Sequence, residues 1–266
     1  MNQIAILSDG LWNWSSTIHT IMLREVRCRF AGDPIGYAWA FLVPLLWVGT
    51  LMGFFTLLGR APSIPVDTPA FIATGVVPYV LFRYTIASMA RLPNTHRGLL
   101  HFAGVRVSDM LFAAAVLELL NAFIILALVW GFIALLFHPI PIHDPLQAYQ
   151  GILLTAAIGT SFGRFAAVLG MVSDTAKRMI PVILRPMFWI SGIFFIATEL
   201  PPGLMRYLYW NPLLHAIEIT RAGVFLDYTS DFADVRLVLL ISAGFLLASY
   251  ILQSAAGRGH NGEELT

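Results

Sequence analysis

Apolar residues along this chain fall in blocks of about twenty, the length an α-helix needs to cross roughly 30 Å of hydrocarbon. The first block runs about 35–58 (IGYAWAFLVPLLWVGTLMGFFTLL). Others follow at about 69–90, 110–137, 148–172, 179–197 and 236–253, the last reading RLVLLISAGFLLASYILQ. Long alternating strands are missing, which excludes a β-barrel. The pattern predicts an all-α polytopic membrane protein, a single domain over 1–266 with six transmembrane helices.

Two further segments are neither span nor simple loop. Residues 12–30 (WNWSSTIHTIMLREVRCRF) place Trp14, Ile18, Ile21 and Met22 near one helical face, with Arg24 and Arg27 on the other. That predicts an N-terminal amphipathic helix lying in the membrane interface. Residues 199–225 (ELPPGLMRYLYWNPLLHAIEITRAGVF) are apolar enough to enter a bilayer but contain Arg206, His215, Glu218 and Arg221. Four ionisable groups make a full crossing expensive. Two short half-inserted helices, folded back at Asn211-Pro212, accommodate both facts. The expectation is a re-entrant helical hairpin between spans five and six, lining protein or a water-filled cavity.

Composition supports this frame: 58% of residues are hydrophobic and 12% charged, with a mean hydropathy of +0.76. A soluble domain of this length needs far more charge at its surface. A net charge of +1 gives no electrostatic case for nucleic acid. Cys28 stands alone, so no intrachain disulfide forms. The first nine residues carry neither Lys or Arg nor an apolar core, so insertion is expected to be driven by the first span. Loop charge then sets orientation. Arg24, Arg27, Arg29, Arg91, Arg97, Arg106, Lys177, Arg178, Arg185 and Arg258 share one side, against Arg60, Arg206, Arg221 and Arg236 on the other. Both termini are therefore expected in the cytoplasm and the hairpin in the periplasm of a bacterial inner-membrane protein.

Against this background the run LREVRCRF (23–30), with Gly36-Tyr37-Ala38-Trp39 and Pro44, resembles the N-terminal signature of ABC-2-type permeases. The stretch WNPLLHAIEITRAGVF (210–225), after LPP at 200–202, is similar to the matching stretch of bacterial capsular-polysaccharide export permeases; Glu118 and the LRP at 184–186 fit too. The likeness extends over about 18–252 and points to the polysaccharide-export branch, O-antigen exporters included. It implies two copies of the chain forming the pathway and two copies of a separate ABC ATPase subunit, which carry ATP and Mg. It also implies export partners in the periplasm and outer membrane, and a lipid-linked acidic polysaccharide as cargo. On the same basis Arg24 and Arg27 of the interface helix and the 91–109 loop receive motion from the ATPase, and the 199–225 hairpin forms the periplasmic gate.

Part of this stands on the residues themselves. A phosphate-binding loop needs G-x-x-x-x-G-K-[ST]. The single lysine, Lys177, is followed by Arg178, so the chain is expected to have no ATPase site and no cofactor of its own. Six helices are also few to enclose a polymer-wide passage, which favours a dimer.

Charges inside the spans are the leading site candidates. Arg83 lies in span two and Arg164 in span four, where a central Arg costs about 2.5–3.5 kcal/mol and ordinarily faces a polar interior. With Arg185 they are candidates for contacting phosphate or carboxylate groups of a glycolipid, which guanidinium forks match. Pairing of Arg83 with Glu118 as a structural bridge is the alternative. Tyr37, Trp39 and Trp189 are aromatic candidates for stacking on sugars, against the routine alternative of an interfacial belt. The resemblance places a lateral entrance at spans one and five. Tyr207, Trp210, Asn211, Pro212 and His215 are assigned to the gate. Leu99, Leu100 and Phe102, flanked by Arg97 and Arg106, suit docking in a partner groove.

No catalytic or metal site is expected. Gly159-Thr160-Ser161-Phe162-Gly163 matches G-x-S-x-G formally, but lies in an apolar helix with no histidine in any span to activate the serine. Small-residue helix packing explains it better. His138, His143 and Asp144 fall in a proline-rich outer loop with no ligand spacing worth defending. The leading expectation is thus the permease subunit of an ATP-driven exporter of lipid-linked capsular polysaccharide. Rivals are an ABC-2 exporter of a drug or O-antigen, an ion-coupled secondary transporter, for which no internal repeat is seen, and a membrane enzyme lacking a nucleophile–base pair.

Overall fold

The structure, a computed structural model, describes residues 3–29, 35–59, 62, 64–95, 106–136 and 142–263. These form nine α-helices: α1 (Gln3–Arg29), α2 (Trp39–Leu57), α3 (Thr68–Thr95), α4 (Val107–Leu136), α5 (Pro145–Val172), α6 (Asp174–Ile190), α7 (Pro202–Leu208), α8 (Pro212–Val224) and α9 (Val235–Glu263). A 3-10 turn, Gly36–Ala38, leads into α2. No strand occurs among the described residues.

Helix starts follow from capping chemistry. Asp144 accepts from the Leu146 and Gln147 N–H groups and Pro145 occupies the first turn of α5. Ser173 caps α6 through the Ala176 N–H. Asn211 caps α8 through the Leu213 N–H, with Pro212 at its start. Each side-chain oxygen satisfies a backbone donor that the first turn leaves without a partner, and proline there sacrifices no hydrogen bond.

Five helical stretches are long and apolar enough to cross a membrane: Gly36–Leu57, Thr68–Pro93, Val107–Leu136, Pro145–Val172 and Val235–Ala255. They correspond to expected spans one to four and six. The expected fifth differs. Its helix, α6, has 17 residues, about 25 Å at 1.5 Å per residue, and carries Asp174, Lys177, Arg178 and Arg185. It buries Ile180, Leu184 and Phe188 along one stripe. Helix ends at Ile190, and Gly192 takes a φ of +79°, a conformation that L side chains rarely adopt. Residues 191–196, expected to continue the span, run outside a helix.

The core forms around α3 and α5. From Pro69 to Phe82 every residue of α3 is buried, against α5, α4 and α8. Close approach is possible because α5 presents small residues. A Cβ on Gly163 would lie 3.2 Å from the Ile86 Cα, and one on Gly159 would lie 3.4 Å from the Phe82 Cα. The G-x-S-x-G run is thus a packing stripe, and Ser161 Oγ donates to the Ile158 carbonyl of its own helix at 3.0 Å. Outward faces of α2, α4 and α9 remain rich in exposed Leu, Phe and Ile, as lipid-facing surfaces should be.

Helix α1 has the expected amphipathic face, and that face meets α4. Ile18 and Ile21 are buried against Met110 and Ala113, with Met22 alongside. Trp14 donates from Nε1 to Asp109 Oδ1 at 3.2 Å and leans on Phe112 at 5.2 Å. Arg24 and Arg27 are exposed.

Candidate functional site

Two neighbouring features organise the candidate site, and of the expected residues they hold Trp189 and the gate group. The first is an aromatic seam joining α2, α3, α6 and the segment after α6. Phe188 is its centre: ring centroids lie 5.4 Å from Trp47, 5.0 Å from Tyr79, 5.4 Å from Trp189 and 5.2 Å from Phe194. Phe194 also contacts Trp189 at 5.4 Å and stacks on Phe55 at 5.5 Å. Trp189 is 66% exposed and Trp47 41%, so the seam has an open outer edge and a buried inner one. Offset and edge-to-face contacts of this kind hold rings in place while leaving faces free.

Tyr37 and Trp39 sit at the start of α2, both half-buried. The Tyr37 hydroxyl donates to Asn121 Oδ1 at 3.0 Å and accepts from Asn121 Nδ2 at 2.8 Å. This ties the turn before α2 to the middle of α4, so Tyr37 has a built-in partner besides any sugar.

The arginine candidates occupy different settings. Arg83 is exposed on α3, one turn beyond Tyr79, whose hydroxyl donates to the Leu184 carbonyl of α6 at 3.2 Å. Arg185, the next residue on α6, is exposed as well. Arg164 is only 7% exposed and is held by α9. It donates from Nε to Ser249 Oγ at 3.2 Å and from Nη2 to Gln253 Oε1 at 2.9 Å, and its Cζ lies 4.2 Å from the Tyr250 ring centroid. Glu118 is buried on α4.

The second feature surrounds α8, where every residue from Leu213 to Phe225 is buried. A helix enclosed on all sides requires its polar groups to be satisfied internally, and its charged side chains are held this way except at Arg221 Nε, which has no hydrogen-bond partner. Arg221 donates from Nη1 to the Phe195 carbonyl at 2.8 Å and from Nη2 to the Ile193 carbonyl at 2.9 Å. Its Cζ lies 4.0 Å from the Phe71 ring centroid, and Glu218 Oε1 is 3.6 Å from Nη1. Glu218 accepts from the Ala197 N–H at 3.4 Å, from the Ser230 hydroxyl at 2.7 Å and from the Tyr228 hydroxyl. Burial, and after it Glu218, pushes the Tyr228 phenol well above its ordinary range.

His215 ties α7, α8 and α9 together. Its Nδ1 accepts the Asp234 backbone N–H at 3.0 Å, which can only donate. Nε2 must therefore carry the proton and donate to the Tyr209 carbonyl at 2.7 Å. The ring also stacks on Phe232 at 4.6 Å. Asp234 caps α9 through the Arg236 and Leu237 N–H groups and accepts the Tyr209 hydroxyl at 3.2 Å. The Leu237 N–H, first among these, holds its carboxyl below the usual carboxylate range.

The expected gate residues therefore divide. Tyr207 and Trp210 point outward, 77% and 67% exposed. Asn211 and His215 are buried, and Asn211 Nδ2 donates to the Ile190 carbonyl at 2.9 Å. Pro212 is half-buried at the start of α8. Of the coupling candidates, Arg24 and Arg27 lie on the exposed side of α1; Arg97, Leu99, Leu100 and Phe102 lie outside the described residues. The Glu218–Arg221 pair was not assigned a site role from sequence, although an opposite-charge i, i+3 pair on an apolar helix was the available signal.

Comparison with known proteins adds the following. Residues 16–225 match the ABC-2 type transporter family. The chain is 27% identical over 215 residues to the polysialic acid transport protein KpsM of Escherichia coli, covering 81% of this chain and 83% of the relative. It is 25% identical over 245 residues to the capsule polysaccharide export inner-membrane protein CtrC of Neisseria meningitidis serogroup A, covering 91% of each. A shorter likeness, 29% over 104 residues, reaches the daunorubicin resistance ABC transporter permease protein DrrB1 of Streptomyces coeruleorubidus, with 38% of this chain and 36% of that one covered.

Proposed function

This chain belongs to the ABC-2 type transporter family, and from that premise we propose that it is the membrane-spanning subunit of an ATP-driven exporter of lipid-linked capsular polysaccharide. The observation that carries the reading is the length of the match to a capsule-export protein, 91% of both chains. A drug exporter is the second reading, favoured by the DrrB1 likeness but over only 38% of the chain.

In this reading two copies form the passage in the bacterial inner membrane, with both termini cytoplasmic, and a separate ATPase dimer supplies ATP hydrolysis. Helix α6, continued by residues 191–196, acts as the fifth of six crossings, and α7 with α8 forms the re-entrant periplasmic hairpin. Lipid-linked glycan enters from the cytoplasmic leaflet along the aromatic seam. Trp189 offers an open face for a sugar ring, and Tyr37 and Trp39 at the head of α2 are further aromatic contacts. Exposed Arg83 and Arg185 contact anionic head groups through charge-assisted bonds, with Arg164 a weaker candidate because α9 already occupies two of its donors. Tyr207 and Trp210 meet the emerging chain on the periplasmic side. Arg24 and Arg27 of α1, with Arg97, Leu99, Leu100 and Phe102, receive motion from the ATPase.

The test is co-purification with the cognate ATPase subunit, followed by ATP turnover with and without lipid-linked glycan. A two-plus-two complex whose turnover responds to glycolipid is the expected result. A chain that purifies alone, with transport abolished by an uncoupler, would overturn the proposal in favour of ion coupling.

A further inference from the structure

We propose that Arg221 and Glu218 are positioning residues: they lock the backbone of residues 193–197 to α8 and thereby set where Phe194 stands in the aromatic seam. The consequence for cargo rests on the export reading; the lock itself does not.

The geometry is specific to this segment. Helix ends at Ile190, so the carbonyls and N–H groups of the following residues have no helical partners. Inside a bundle such backbone must be satisfied by side chains or water. One i, i+3 pair supplies three of those bonds. Arg221 takes the carbonyls of Ile193 and Phe195 at 2.9 and 2.8 Å, and Glu218 takes the Ala197 N–H at 3.4 Å. A guanidinium is planar with donors in a fixed fork, so two carbonyls two residues apart are held at a set separation. The residue between them is Phe194.

Each side of the lock is braced. Phe71 of α3 lies against the guanidinium at 4.0 Å. Gly75, one turn further on, leaves room: a Cβ there would fall 2.9 Å from the Ile193 Cα and 3.1 Å from Arg221 Nη2. Tyr228 and Ser230 hold the second oxygen of Glu218. Ile193 and Ala197 are fully buried, and Phe194 is the ring this segment places in the seam, stacking on Phe55 and touching Phe188 and Trp189. Segment 193–197 and α8 therefore move as one body. Any displacement of the hairpin displaces a ring at the edge offered to cargo.

The experiment uses the full-length chain with Cys28→Ser, carrying Phe55→Cys and Phe194→Cys, in native membranes. A short bifunctional thiol reagent reports their cross-linking rate. A control pair, Phe162→Cys with Phe245→Cys, probes α5 against α9, where the rings are 4.9 Å apart. Arg221→Lys keeps the charge but cannot fork across both carbonyls. It is expected to slow the seam pair about fivefold, the change that losing one net hydrogen bond brings, and to leave the control pair unchanged. Wild-type cross-linking of the seam pair overturns the proposal. So does equal slowing of both pairs, which would assign Arg221 to the whole bundle. In cells, Arg221→Lys and Phe194→Ala are each expected to lower export, with the double variant no worse than the poorer single one; additive losses would refute the link to the seam. Absence of polysaccharide export from the parent chain would sink the export reading while leaving the cross-linking result to decide the lock.

Discussion

Gly223→Ala is the most severe single-methyl change the packing of α8 predicts. A Cβ at Gly223 would fall 2.2 Å from the Ala148 backbone N and 2.7 Å from its Cα. Both are main-chain atoms at the first turn of α5, so no rotamer change relieves the clash. To restore a contact of about 3.5 Å, α8 must withdraw from α5 by roughly 1 Å. That motion stretches two bonds that seat the end of α8: the Asp144 N–H to the Gly223 carbonyl at 2.7 Å and the His143 N–H to the Val224 carbonyl at 3.2 Å. Overpacking of a close-packed interior costs about 1–3 kcal/mol, and each weakened bond adds roughly 0.6 kcal/mol by the membrane average. The expected loss is about 2–4 kcal/mol, offset only slightly by the better helix propensity of alanine. Reversible SDS unfolding of the purified chain measures it. Gly131→Ala is the control, because a Cβ there meets nothing within 4 Å; it should be neutral or mildly stabilising. An unfolding midpoint for Gly223→Ala equal to that control would refute the backbone-contact argument.

Three further outcomes follow from the polar contacts. Arg164→Met should destabilise less than Ser249→Ala combined with Gln253→Leu, since the second leaves a buried charge short of partners whereas the first removes charge and bonds together; the reverse order in SDS unfolding refutes the α9 tie. His215 is neutral and donates through Nε2, and burial, its largest influence, lowers its pKa from the ordinary value. The stability it confers is thus complete above about pH 6.5 and falls as pH drops from there through the folded-state pKa, because the unfolded chain binds the extra proton first. His215→Gln should flatten that dependence, and an unchanged slope between pH 7.5 and 5 removes His215 as its source. Trp189→Ala should reduce export at unchanged membrane level, because its exposed face is lost while Phe188 and Phe194 still pack on each other; normal surface polysaccharide would count against the seam as a cargo contact.

The helical frame was legible because its signal is length and hydropathy, which need no tertiary knowledge. Five spans, the amphipathic α1 and the break at Asn211-Pro212 all follow from such local patterns. The seam was partly legible: Trp189 and spans one and five were named, while Phe55, Phe188 and Phe194 as its hub depend on how α6 ends. That ending was missed, since Phe194, Phe195 and Ile196 read as apolar helix, and the positive φ of Gly192, with Leu214 Cδ1 2.4 Å from where a Cβ would sit, leaves no mark in the local pattern.

Segment 199–225 shows most clearly where composition stops being informative. Four ionisable residues in 199–225 argue against a full crossing, and the expectation is a pair of short helices set against protein or a water-filled cavity. The pair is asymmetric. Helix α7 carries Arg206 and the exposed aromatics, whereas α8 takes His215, Glu218 and Arg221 into the core, each at 0% exposure. Their cost there is met by carbonyls from 193, 195 and 209 and by N–H groups from 197 and 234. Four of the five lie on backbone outside helix, and the fifth, at Ala197, opens a single 3-10 turn. Buried charge and irregular backbone are each expensive alone, and here each supplies what the other lacks. Polarity in an apolar helix therefore marks the place where a neighbouring segment leaves helical structure, and the Ile190 terminus of α6 is where that condition is met.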